Sequence, residues 1–126
     1  MTFGKAIRDA SGATTVEFGI TAPVYFMVLA GIIEFGLLFW TQTGLQHGVE
    51  MAARCAGINA SACATQSDTQ HYAAQQSFGL NPPASTFTVS SSACGSQVTA
   101  SYSFQFFATY FGVPSITLNA KSCFPK

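Results

Sequence analysis

The sequence predicts an α+β chain: a long N-terminal transmembrane helix that continues outside the membrane, a short second helix, and a small three-stranded antiparallel sheet. Three observations carry this expectation. A 23-residue apolar run from Phe18 to Trp40 holds a single formal charge, Glu34. Beyond Pro83 the apolar period changes from helical to two. All four cysteines (Cys55, Cys63, Cys94 and Cys123) follow the apolar run, and none precedes it.

The apolar run comes first. About 20 apolar residues in a helix cross the hydrocarbon core of a bilayer. Twelve of the 23 residues are Val, Ile, Leu or Phe, and each favours insertion by about 0.3–0.6 kcal/mol near the centre. Their total, on the order of 5 kcal/mol, exceeds the roughly 2.5–3.5 kcal/mol cost of one central carboxylate. Glu34 also lies about 9 Å from the Trp40 end, where that cost falls. Pro23 sits near the other end, where a kink is tolerable. An ordinary cleaved secretory signal fits poorly: its apolar core runs about 7–15 residues and ends at a small-x-small site. Trp40-Thr41-Gln42-Thr43 is no such site.

Charge supplies orientation. Lys5 and Arg8 are the only basic residues close before the span, and Arg54 is the first after it. The positive-inside rule then expects the N-terminus in the cytoplasm and everything from about Thr41 outside. An even number of cysteines, all in the outer part, reads as two disulfides in an oxidising compartment. Charged residues are 8% of the chain, against about 25% in an ordinary soluble domain. Five basic and five acidic side chains cancel, which leaves no basic stripe for a nucleic-acid partner.

The chain divides into a leader, 1–12, an N-terminal helix, 13–58, with its span at about 18–40, and an extracytoplasmic α+β domain, 59–126. The helix is expected to start near Ala13 and to run outside through Leu45, Val49, Met51, Ala52 and Ala53, stopping at Gly57 and Asn59. Asp68-Thr69-Gln70 opens a second helix, His71 to about Phe78, ended by Gly79 and Pro82-Pro83. In Gln97–Phe106 the residues Val98, Ala100, Tyr102, Phe104 and Phe106 alternate with polar ones, a strand pattern that Ser115–Lys121 repeats. Thr86–Ser90 is a weaker third strand with Phe87 and Val89 inward. An antiparallel meander with one apolar face results, and the outer part of the long helix and the second helix are its available cover.

That meander orders the cysteines. Strands that follow one another are usually neighbours, and pairing outward from Phe107 with Ser115 brings Cys123 opposite roughly Thr99. Cys94 lies in the turn leading to the same end. Of the three possible connectivities, the expected one is Cys94–Cys123 with Cys55–Cys63.

Catalytic chemistry is not in evidence. His47 and His71 are the only histidines, each read as a surface residue, and no serine or cysteine stands in a nucleophile motif. The cysteine spacings lack a C-x-x-C knuckle for zinc, and there is no glycine-rich phosphate loop. No enzyme, metal or cofactor is expected.

The informative chemistry is at the membrane edge. Gly12-Ala13-Thr14-Thr15-Val16-Glu17-Phe18 sets a glycine, four uncharged residues and a glutamate at the entrance of the apolar helix, just after Lys5 and Arg8. A plain helix start reads the same way, with Gly12 as breaker and Glu17 favoured by the helix dipole. The motif also resembles the type IV prepilin cleavage signal in its tight-adherence (Flp-type) variant, in which an aromatic residue follows the glutamate. The run GATTVEFGITAPVYFMVLAGIIEFG, Gly12 to Gly36, looks like the start of TadE-like proteins. HGVEMAARCAG, His47 to Gly57, and the end at Ala120-Lys121-Ser122-Cys123-Phe124-Pro125 are similar to that group as well.

The resemblance implies a minor pseudopilin that supports assembly of an Flp pilus and surface attachment. It implies a prepilin peptidase that cuts after Gly12 on the cytoplasmic face, leaving Ala13 first and Glu17 fifth. Further partners would be other pilins and pseudopilins, the inner-membrane assembly platform and the lipid bilayer, at a single-pass site with the outer domain periplasmic or extracellular. Glu17 would meet a neighbouring subunit's new α-amino group, and Glu34, the intramembrane polar residue, would face another protein helix or be protonated. Two other readings compete: a membrane-anchored binding module that is never processed, and a type II secretion pseudopilin.

Overall fold

A computed structural model describes residues 3–58 and 60–125, with side chains from Gly12 onward. The architecture is α+β. Helix α1 (Phe3–Gly57) is followed by α2 (Gln66–Gln75) and by strands β1 (Phe87–Ser92), β2 (Gly95–Phe104) and β3 (Ile116–Phe124). Short 3-10 turns occupy Ser61–Cys63, Ala84–Thr86 and Phe107–Phe111. The chain forms two compact units that divide between Gly36 and Leu37.

The first unit is helix. It begins at Phe3, ahead of the start expected near Ala13. Gly12 does not break it, because glycine in a helix costs only about 1 kcal/mol relative to alanine. The side chains of Lys5, Arg8 and Asp9 lie outside the described residues. Phe18, Ile20, Val24, Phe26, Met27, Ile32, Ile33 and Phe35 are all exposed. Among the described residues α1 is the one helix long and apolar enough to cross a membrane, and none of its most apolar window is buried. The core helix of a soluble domain would be covered instead.

The second unit is built on the sheet, ordered β1-β2-β3 with both pairs antiparallel. Its apolar face carries Phe87, Val98, Ala100, Leu118 and Ala120. Leu45, Val49, Ala52 and Ala53 share one face of α1 at helical spacing and close the core together with Ala73 of α2. The strands alternate as the sequence requires, with Val98 and Ala100 buried while Ser101 and Ser103 are exposed.

Several boundaries differ from expectation: β1 covers Phe87–Ser92 instead of Thr86–Ser90, and β3 runs on to Phe124 instead of Lys121. Helix α2 starts at Gln66, because Thr65 caps it rather than Asp68, and it stops at Gln75. The Asp68 backbone N–H donates to Thr65 Oγ1 at 3.1 Å, and the Thr65 N–H donates back to Asp68 Oδ2 at 3.2 Å. This capping box satisfies two N–H groups that lack helical partners. Strand β2 ends at Phe104 instead of Phe106, since Phe107–Phe111 coil into a 3-10 turn closed by Gly112 at φ 87°. Against the expected pairing of Phe107 with Ser115, the connection takes three more residues from the β2 side and one from the β3 side; this imbalance slides the register by two, so Cys123 lies opposite Gln97, not Thr99.

Candidate functional site

Gly12, Ala13, Glu17 and Phe18 stand on α1, exposed to the surroundings. At Glu17 the structure shows a backbone carbonyl that accepts a 2.8 Å bond from the Thr21 hydroxyl, an i−4 bond ordinary for threonine in a helix. A β-carbon built on Gly12 would meet nothing within 4 Å. Among the described residues, packing therefore gives no reason for glycine at that position, and neither does its helical backbone. Glu34 is half-buried on the same helix.

The glycines further along α1 are a contrast. A β-carbon on Gly44 would lie 2.9 Å from the Ser77 carbonyl oxygen, and one on Gly48 would lie 2.7 Å from the Ala73 carbonyl oxygen. Both would also strike side chains, Leu80 and Ser77 respectively. These two glycines, four residues apart on one helix face, form the seat on which the C-terminal end of α2 rests. Sequence reading passed over them, although a glycine pair at this spacing is a legible signal of close backbone approach.

Around that seat the chain turns sharply. Phe78 (φ 49°), Gly79 (φ 78°) and Asn81 (φ 41°) all adopt left-handed backbone. The Phe78 ring stacks on His47 with centroids 4.4 Å apart and lies 6.2 Å from Trp40. His47 is thus not the plain surface residue its sequence position suggested: it is half-buried, with Nδ1 2.7 Å from the Gln76 carbonyl oxygen. His71 is exposed.

The disulfides brace the far parts of the unit. Cys55 joins Cys63 just past the end of α1, with Cα atoms 5.9 Å apart. Cys94, in the β1–β2 turn, joins Cys123 on β3 with Cα atoms 6.3 Å apart. The two-residue register slip leaves this pairing possible because Gln97 and Thr99 both lie near the Cys94 end of β2. Two side-chain amides tie helices to the sheet: Gln42 Nε2 donates to Asn119 O at 3.0 Å, and Gln70 Nε2 donates to Phe87 O at 2.8 Å.

A family model described as TadE-like protein matches residues 12–54. No match was found among curated proteins or solved structures. The matched residues run from Gly12, through Glu17 and the apolar stretch, to Arg54 in the last turn of α1. Over segment 12–54, about a third of the chain and the part that contains both the glycine–glutamate spacing and the apolar run, this chain is similar to TadE-like proteins.

Proposed function

We propose that the chain is a minor pseudopilin of the tight-adherence (Flp-type) pilus system, a non-enzymatic, membrane-anchored subunit that supports pilus assembly and surface attachment. The TadE-like match over residues 12–54 supports a role in that system. The observation that carries the finer reading is Gly12. It is a helical glycine that no contact among the described residues requires, five residues before Glu17 at the entrance of an uncovered apolar helix. A peptidase that accepts only a residue without a side chain would account for it.

In this reading Lys5 and Arg8 hold the N-terminus in the cytoplasm. The second unit lies in the periplasm or outside the cell, where its two disulfides persist. Cleavage after Gly12 creates an α-amino group at Ala13. When the apolar helix leaves the bilayer for a filament, Glu17 would be an unpaired charge in an apolar setting, at a cost of several kcal/mol. A neighbouring subunit's new α-amino group removes that cost. The other pilins and the inner-membrane assembly platform are the partners this scheme needs.

The mature N-terminus tests the proposal. Mass spectrometry of protein extracted from membranes is expected to show a chain that starts at Ala13, and Gly12→Val is expected to block the cut. A wild-type chain that keeps Met1–Gly12 in the presence of its peptidase would leave the unprocessed binding module as the better reading.

A further inference from the structure

The connection between β2 and β3 is an exposed aromatic tip. From Gln105 to Ser115 it has no charged residue, and its side chains include Phe107, Tyr110, Phe111 and Val113. Tyr110 is 87% exposed and Phe111 82%. The Phe107 and Tyr110 rings lie against one another, 5.9 Å apart. So much apolar surface on so small a domain marks a contact surface.

Its place in the second unit indicates what it contacts. On β3, Asn119 is bonded to Gln42, while Phe124 packs where Gly57 ends α1. The strand therefore begins beside the Leu37 end of this unit and runs toward the Gly57 end. Ile116, three residues before Asn119, lies about 10 Å further toward the Leu37 end, since a strand rises about 3.3 Å per residue. The aromatic tip precedes Ile116 and belongs to that same edge. Trp40, exposed and the last residue of the apolar run, is there as well, with the half-exposed ring of Phe78 beside it. Three separate segments thus bring uncharged aromatic rings to the edge at which the chain enters the unit. Aromatic rings collect at the membrane–water boundary, where an apolar body and a polar rim are both accommodated.

We propose that the β2–β3 tip is a second membrane contact. Phe107, Tyr110 and Phe111 insert among the lipid headgroups beside Trp40, so that the folded unit is held against the bilayer rather than tethered only by its helix. This rests on the reading of α1 as a membrane span. The tip holds no basic residue, so the contact is with the headgroup–acyl boundary of the bilayer itself and not with an anionic headgroup.

The test uses the full chain reconstituted in phosphatidylcholine vesicles whose acyl chains carry bromine near the headgroup. Trp40 is the only tryptophan, so its emission in the wild-type chain reports the span. In a Trp40→Phe background, Tyr110→Trp reports the tip and His71→Trp, an exposed site on α2, reports the rest of the unit. The expected result is quenching of Trp40 and of the tip indole, the latter also shifted to shorter wavelength, with the indole at 71 unaffected. Quenching at Trp40 alone overturns the tip contact while the anchored reading stands, and assigns the tip to a protein partner. Equal quenching at 71 and 110 also overturns it, as indiscriminate adsorption. No quenching at Trp40 removes the membrane reading and this inference with it.

Discussion

A β-carbon on Gly48 would stand 2.7 Å from the carbonyl oxygen of Ala73, so α1 and α2 approach as closely as they do only because position 48 has no side chain. The neighbour is backbone, which cannot rotate out of the way. Gly48→Ala is therefore expected to destabilise the second unit by about 1–3 kcal/mol, the usual cost of overpacking a tight core. For a domain of this size that corresponds to a fall in Tm of roughly 4–8 °C per kcal/mol. Thermal unfolding of detergent-solubilised protein measures it. Gly36→Ala, where an added β-carbon meets nothing, should leave that Tm unchanged.

The cap of α2 is a smaller contribution with a definite sign. Thr65→Ala removes the acceptor for the Asp68 N–H and is expected to cost about 1 kcal/mol. Thr65→Ser keeps the oxygen and should recover most of the loss. The same unfolding experiment distinguishes the two, and equal stability of the alanine and serine variants would show that the cap contributes nothing.

The two disulfides should differ in worth. In the chain-entropy model, the bond between Cys94 and Cys123, separated by 29 residues, contributes about 3–4 kcal/mol. The Cys55–Cys63 bond, separated by 8, contributes about 1 kcal/mol less on the same model. Cys94→Ser should accordingly reduce the amount of protein in the envelope more than Cys55→Ser, and far more than His71→Ala. Non-reducing peptide mapping of the wild type should recover Cys94–Cys123 and Cys55–Cys63 peptides; a Cys63–Cys94 peptide would contradict the sheet order.

Glu17 and Glu34 should have separable roles. They are 17 residues apart, about 260° around a helix that turns 100° per residue, and so occupy different faces. Glu34→Gln is expected to insert normally, since it removes a charge that costs roughly 2.5–3.5 kcal/mol at the bilayer centre. It should nonetheless weaken co-purification with other pilus components. If Glu34→Leu recovers those partners as well as wild type does, Glu34 takes no part in the contact.

Much of this molecule is determined by the sequence alone, because the signals involved are local. An apolar run of 23 residues implies a long uncovered helix whatever else the chain does. The alternation of Val98, Ala100 and Tyr102 with Thr99, Ser101 and Ser103 sets which side of β2 is buried. Strand order and the Cys94–Cys123 pairing follow from chain connectivity. The glycine–glutamate spacing and the similarity to TadE-like proteins are likewise properties of a contiguous stretch, residues 12–54. The register was a different matter: a pattern of period two is unchanged by a slip of two residues, so it could not choose Gln97 over Thr99 as the partner of Cys123. That choice depended on how unevenly the connection around the Phe107–Phe111 turn draws its residues from the two strands. Only the tertiary structure showed Gly48 against Ala73, His47 under Phe78, and Trp40 beside that same Phe78 ring. Each of these joins residues far apart in the chain, and no local period records which distant backbone will come within a few ångströms of a given side chain.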